Sequence, residues 1–253
     1  MQSLVGRVGI VTGASSGIGA ATARALAGAG MRLLLGARRG DALHALCEEI
    51  QTAGGNAQPL MTDLRDERQV DRLVDTSVER FGQLDAVVNN AAYGALRTIA
   101  EGRTDEWRAA VETNLLGTLM MCRAALRHML PRRSGDILNV TSASAHEAWP
   151  YLSVYAATKA AVHTLSDGLR AEVAGQGIRV MTIEVHNVGG TDFASSFDPQ
   201  ITPIAVQRWV ELGLLRRDSA MIEANDVAQA ILFQLSQRDP ASIHHVTIRS
   251  RAN

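Results

Sequence analysis

A tyrosine four residues ahead of a lysine, Tyr155 and Lys159, marks where this chain could do proton chemistry. Residues i and i+4 of a helix share a face one turn apart, so the spacing sets an ammonium beside a phenol. A nearby positive charge favours phenolate over phenol. A phenol of ordinary pKa, near 10, needs such help to exchange protons at neutral pH. The lysine is also unusual in this composition: of 25 basic side chains, 24 are Arg and one is Lys. Ser142 closes an apolar run, Asp136-Ile137-Leu138-Asn139-Val140-Thr141, that reads as a strand. A strand end and the helix after it can bring a hydroxyl, a phenol and an ammonium into one pocket. Tyr-x-x-x-Lys also occurs on ordinary solvated helices, so the pair needs support from elsewhere in the chain.

That support lies near the N-terminus, in Gly13-Ala14-Ser15-Ser16-Gly17-Ile18-Gly19. The stretch joins a short apolar strand, Arg7 to Thr12, to a helix ending near Gly28 and Gly30. Gly13 permits a tight turn, Gly17 lets a backbone approach a pyrophosphate, and Gly19 lets helix and strand pack closely. A helix N-terminus offers free N–H groups and a positive dipole end to phosphate. The spacing is G-x-x-x-G-x-G, not the G-x-G-x-x-G of the standard dinucleotide fingerprint.

The remaining pattern alternates strands with helices, which predicts a doubly wound α/β fold. Its parallel sheet of seven strands is covered by helices on both faces. Strands are predicted at Met31 to Gly36, Ala57 to Met61, Leu84 to Asn89, Ile178 to Glu184 and His245 to Arg249. Asp41 is expected to N-cap the second helix. A long helix is expected from about Thr104 to Leu130, with Pro131 ending it. The stretch from Val185 to about Ala224 reads as one long irregular loop, of the kind that serves as a lid over a site.

Composition bounds what such a fold is for. At 253 residues, 46% apolar and 20% charged, the chain is expected to form one domain over residues 1–253 with a sizeable core. A net charge of −1 gives no electrostatic reason for nucleic acid or anionic membrane as a partner. Cys47 and Cys122 sit apart in helical patterns and read as core residues, and no metal cluster is expected. No signal-peptide profile and no membrane-length apolar run is seen, so the expectation is a cytoplasmic protein.

Taken together, these residues resemble the short-chain dehydrogenase/reductase family over essentially the whole chain. Thr12 to Gly19 looks like that family's cofactor turn, with Gly13, Ser15, Ser16, Gly17, Ile18 and Gly19 as contacts. Asp63, with Leu64, resembles its adenine contact. Asn89-Asn90-Ala91-Ala92 resembles its Asn-Asn-Ala-Gly element, departing at Ala92, and would bring Asn90 and Ala91 to the cofactor. Val188 and Thr191 complete the implied cofactor set. Asn114, Ser142, Tyr155 and Lys159 fall where the family places its four catalytic residues. The resemblance implies that Ser142 bonds the substrate oxygen, Tyr155 moves the proton, and Lys159 holds the nicotinamide ribose and favours phenolate. Asn114 would hold a water linking Lys159 to solvent. It also implies a homotetramer or homodimer.

Cofactor choice is read at the end of the second strand, Leu35-Gly36-Ala37-Arg38-Arg39. A carboxylate there selects NAD through the ribose 2′-OH, whereas Arg accommodates the 2′-phosphate of NADP. With Arg38 and Arg39 and no acid before Asp41, NADP(H) is expected, although Arg is also this chain's default surface cation. The substrate is expected to be a small carbonyl compound or alcohol. The stretches Trp149 to Tyr151 and Gly189 to Phe193 and the tail look like a branch handling small hydroxy acids. Ser144, His146, Trp149, His186 and Phe193 are the candidate substrate residues. His186 stands where that branch has glycine after proline, so it is expected to line the pocket. The alternative readings are a non-catalytic NADP-sensing binder, which would not need all four catalytic residues, and an NADP-linked epimerase or dehydratase.

Overall fold

Short β-branched or leucine-rich runs make most strands of the sheet, whereas the edge strand Asn-Ala-Gln-Pro-Leu-Met is more polar and tolerates a proline. The strands are β1 (Val8–Thr12), β2 (Arg32–Ala37), β3 (Asn56–Met61), β4 (Ala86–Asn89), β5 (Gly135–Ser142), β6 (Ile178–Val185) and β7 (His245–Ile248). In the computed structural model, which describes residues 1–215, 221–238 and 241–250, they form one sheet in the order β3-β2-β1-β4-β5-β6-β7. All neighbours pair in parallel. The order reverses between β1 and β4, and an open α/β sheet binds ligands outside the carboxyl ends of its strands at such a point.

Both sheet faces are buried, as a parallel sheet requires. On one face α1 (Gly17–Gly28), α2 (Gly40–Thr52) and α8 (Ala224–Leu235) pack on Val11, Leu33, Leu35, Val88, Leu138 and Ile183. On the other, α3 (Glu67–Phe81), α5 (Gly117–Arg132) and α6 (Ser153–Glu172) cover Ile10, Leu34, Val87, Ile137 and Val180. The strand residues of the two groups alternate along the chain, which is the period-2 pleat. Cys47 and Cys122 are buried and free. Burial pushes their thiols up, to about 11 and about 12, which makes them inert packing groups.

Three local expectations are corrected. The long helix after β4 is broken: α4 (Thr104–Val111) passes through a π turn, Glu112–Leu116, into α5. Pro131 lies inside the last turn of α5, where it removes a single intrahelical bond, and the chain leaves two residues later through Arg133 at φ 50. Asp41 is not the cap of α2. Arg39 holds that position and Asp41 sits in the first turn, where its charge faces the positive end of the helix. The predicted lid over 185–224 is less irregular than expected: it holds a 3₁₀ turn, Asp192–Ser196, and the helix α7 (Thr202–Glu211). Ala205 and Trp209, one turn apart on α7, bury against Leu96, Trp149 and Leu152 and close a third apolar cluster. Residues 216–220 of the lid lie outside the described residues. Among the described residues no helix is long and apolar enough to cross a membrane.

Candidate active site

The glycine turn is built to a tolerance that admits no side chain at two places. A Cβ on Gly13 would lie 2.8 Å from the Ala91 Cα, and Gly13 has φ +64. A Cβ on Gly19 would lie 2.3 Å from the Gly13 carbonyl oxygen, so only glycine lets α1 start this close to β1. The turn is braced from β4: Asn90 Nδ2 donates to the Thr12 carbonyl at 3.0 Å, and the Asn90 and Ala91 N–H groups donate to Thr12 Oγ1 at 3.0 and 3.2 Å. Ile18 packs against the first apolar cluster. Ser16 N-caps α1 without a side-chain cap bond. Its hydroxyl instead accepts from Arg39 at 2.5 Å, and Ser15 Oγ accepts from the same guanidinium at 3.1 and 3.2 Å. The other end of that guanidinium meets Asp192 at 2.6 Å. Asp63, after β3, is forked by Arg65, which holds its carboxyl below the usual range, with Arg38 adding to the effect. Leu64 is buried.

At the ends of β5 and α6 the expected proton-transfer residues come together. Ser142, the last residue of β5, N-caps the single 3₁₀ turn Ala143–Ala145. Ser144 donates to Ser142 Oγ through its backbone N–H at 3.3 Å and its hydroxyl at 3.0 Å. Tyr155 is half-buried in the first turn of α6, with the Ser142 hydroxyl near enough to its phenol to draw its pKa down. Lys159, 4% exposed, donates from Nζ to the Val140 carbonyl at 2.8 Å, and its Nζ lies 5.7 Å from the centre of the Tyr155 ring. The adjacency expected from the i, i+4 spacing is present. The expected direction of the phenol shift is reversed: burial, the larger effect, pushes Tyr155 up to about 12, against the pull of the Ser142 hydrogen bond. Burial also lowers Lys159 to about 8. The phenol at neutral pH is therefore a proton donor in waiting.

Asn114 lies in the π turn, a feature found often at functional sites. Its amide is committed to protein: Oδ1 accepts from the Tyr93 N–H at 2.8 Å, and Nδ2 donates to the Tyr93 carbonyl and to Thr158 Oγ1, both at 2.9 Å. Thr158 in turn donates to the Tyr155 carbonyl at 2.7 Å. The break in the helix is thus tied to the turn of α6 that carries the tyrosine.

The lid lies on both halves of this site. Phe193 sits 4.8 Å from the Tyr155 ring, and Phe197 sits 5.2 Å from Phe193. Ser196 donates to the Gly94 carbonyl at 2.7 Å, fastening the lid to the loop after β4. The Thr191 side chain lies against Gly17, 3.1 Å from where a Cβ would be, and Val188 bridges to Ile222. Trp149 is 8% exposed and meets Trp209 edge-on at 5.2 Å, so the structure uses it for packing under α7. His146 and His186 both face Glu184. Sequence reading passed over Glu184, Tyr93 and Asp192. A carboxylate after the apolar run Ile178 to Ile183 was the available signal for Glu184; Tyr93 and Asp192 act through contacts that only the fold creates.

The model of the short chain dehydrogenase family matches residues 7–201. An uncharacterized oxidoreductase of Staphylococcus aureus (strain MRSA252) is 32% identical over 249 residues, covering 98% of this chain and 99% of that protein. The chain belongs to the short-chain dehydrogenase family. This dehydrogenase also resembles an alcohol dehydrogenase from Thermococcus sibiricus complexed with 5-hydroxy-NADP, at TM-score 0.84 and 27% identity over 98% of this chain and 97% of that one. A short chain dehydrogenase/reductase from Burkholderia phymatum in complex with NAD superposes at TM-score 0.86 and 25% identity, covering 98% of this chain and 90% of that one. The dehydrogenase is thus an oxidoreductase that uses a nicotinamide dinucleotide. Its own residues fit that group: the turn at Gly13 and Gly19 leaves backbone bare where a pyrophosphate meets the start of α1, and Lys159 stands beside Tyr155 where a ribose and a reacting oxygen would meet.

Proposed function

We propose that the protein interconverts a carbonyl compound and a secondary alcohol with NADP(H), Tyr155 acting as the acid/base. The observation that carries this reading is the grouping of Tyr155 with Ser142 at the end of β5 and with Lys159, whose buried Nζ lies 5.7 Å from the centre of the Tyr155 ring. The nicotinamide, when bound, supplies the hydride chemistry. The protein positions and moves the proton. In reduction the Ser142 hydroxyl holds the substrate oxygen and Tyr155 Oη gives its proton to that oxygen as negative charge develops there. In oxidation the same atom takes the proton back. A phenol held up at about 12 by burial is in its donor form at rest. A positive Lys159, or a substrate that displaces the burying Phe193, favours the phenolate that the reverse direction needs. Asn114, through Tyr93 and Thr158, keeps the π turn against α6.

NADP(H) over NAD(H) is supported by Arg38 and Arg39 at the end of β2, where no carboxylate stands before Asp41. A small hydroxy acid or related alcohol is the substrate class we assign, with Phe193 set against the Tyr155 ring and Ser144 beside Ser142. A homodimer or homotetramer is supported by exposed Val111, Leu116 and Leu119 around the break between α4 and α5. The test is a panel of carbonyl compounds and alcohols followed by NADPH and NADH absorbance. Turnover with NADPH is expected, and no turnover across the panel with either cofactor would sink the reading.

A further inference from the structure

Thr182 and Glu184 of β6 alternate onto the face covered by α6, and His186 follows just past the strand's last residue, Val185. The Glu184 side chain is 10% exposed, and each carboxylate oxygen takes one imidazole: Oε2 meets His146 Nε2 at 3.1 Å and Oε1 meets His186 Nε2 at 3.3 Å. A buried carboxylate is tolerated only when its oxygens are satisfied. Here the two partners come from different places. His186 is two residues on, just beyond the end of β6, but His146 closes the turn that follows Ser142 at the end of β5.

The His146 N–H donates to the Ala143 carbonyl at 3.0 Å, closing the single turn that Ser142 caps. Inside that turn Ser144 presents two donors to Ser142 Oγ, at 3.3 and 3.0 Å. With its acceptor side so occupied, the Ser142 hydroxyl directs its own hydrogen away from the turn, on the side it shares with Tyr155. Strand register sets Glu184 opposite Thr141 and Val185 opposite Ser142, so the carboxylate stands one residue behind the serine.

We propose that Glu184 is a positioning residue: through His146 it fastens the Ser142–Ser144 turn to β6 and so sets the direction of the Ser142 hydroxyl. His186 completes the satisfaction of the carboxylate and leaves both partners in place. The inference rests on Ser142 and Tyr155 being the proton-transfer pair. Other charged or titratable groups facing this cluster are Asp167 from α6 and the imidazoles of His163 from α6 and His245 from β7, which meet edge-on at 4.8 Å (His146 to His163) and 5.3 Å (His163 to His245).

The experiment uses the full-length enzyme, NADPH and the best-turned-over carbonyl compound of the panel. Glu184→Ala should lower kcat about tenfold to a hundredfold, the range a small misplacement of a reacting group produces. Its NADPH dissociation constant should stay within about twofold of wild type. His146→Ala should match it, His146→Gln, which keeps an N–H donor, should recover most of the rate, and the double variant should be no slower than either single one. Glu184→Gln, which keeps one oxygen to face His146, should lose less rate than Glu184→Ala. Unchanged kcat in Glu184→Ala, or losses that multiply in the double variant, would overturn the proposal. Should Glu184→Ala fail to fold, the half-exposed His146 variants decide alone. Full activity in Tyr155→Phe would sink the catalytic reading, and the positioning role with it.

Discussion

The two ends of the sheet handle buried charge in opposite ways. At the amino ends of the strands, Asp136 has a side chain 3% exposed and accepts from Arg7 at 2.6 Å and from Arg179 at 2.6 and 2.7 Å. Next to it Asp85, 7% exposed, accepts from Arg132 at 2.9 Å and from the Val8 N–H at 2.7 Å. Every carboxylate there has more than one donor, and the strands are laced together through them. At the carboxyl ends, Lys159 is as deeply buried with no carboxylate on it among the described residues, Tyr155 is held up by burial, and Glu184 is shared between two imidazoles. Matched charge at one end serves the fold. Unmatched charge at the other is what perturbs pKa values, and chemistry requires that perturbation.

The contrast breaks first at Tyr155. Tyr155→Phe removes the proton donor and keeps the ring that packs under Phe193, so turnover should fall about a hundredfold to ten-thousandfold. Stability and NADPH binding should hold. A rate close to wild type in NADPH-linked turnover would show that the unmatched end is not where the chemistry occurs. Asp136→Ala is the mirror experiment. It strands two guanidinium groups at the matched end and should cost about 3–5 kcal/mol of stability in urea unfolding, with NADPH affinity unchanged in whatever remains folded. A loss under about 1 kcal/mol, the size of a surface pair, would mean that the lacing is decorative.

Lys159 sharpens the comparison because its sign is reversed. Its folded-state pKa is about 8, against 10.5 for the free side chain. The unfolded chain binds more protons between those values, so this group makes the protein more stable as pH rises from about 8 to about 10.5. Below pH 8 the buried ammonium costs up to about 3 kcal/mol. Lys159→Met should therefore abolish turnover and raise the melting temperature at pH 7, and the gain should vanish by pH 10.5. Destabilisation at pH 7 would place Lys159 among the matched charges.

How much of this could be read from the chain follows the same division. The glycine turn, the alternation of strands and helices, and the Tyr155–Lys159 spacing are local patterns, and each appears in the structure at its expected place. The π turn at Glu112–Leu116 has no local mark, since Glu-Thr-Asn-Leu-Leu continues a helical pattern and the break is stabilised by Asn114 reaching Tyr93 across the chain. Helix α7 was hidden in a stretch read as loop because its buried residues, Ala205 and Trp209, find their partners Leu96 and Trp149 only after folding. The phenol shift was misjudged for the same reason: spacing reveals the neighbouring charge, whereas burial is a property of the packed lid.

The smallest effect separates two aspartate–arginine pairs of the same chemistry. Arg7–Asp136 is buried, with side chains 20% and 3% exposed; Arg39–Asp192 is open, at 53% and 50%. An exposed pair contributes about 0–1 kcal/mol, so Arg39 can leave Asp192 at little cost. It already lies over Ser15 and Ser16 of the phosphate turn. A ribose 2′-phosphate is a stronger partner for a guanidinium than one carboxylate, since it carries more charge and offers a fork of oxygens. Arg39→Ala should therefore weaken NADPH binding about tenfold, roughly 1.4 kcal/mol, leave NADH binding nearly unchanged, and alter the unfolding free energy by less than about 1 kcal/mol. Calorimetric titration of both cofactors against both proteins checks it. Equal losses for NADPH and NADH would mean that Arg39 serves the pyrophosphate and not the 2′-phosphate, leaving Arg38 as the discriminating residue.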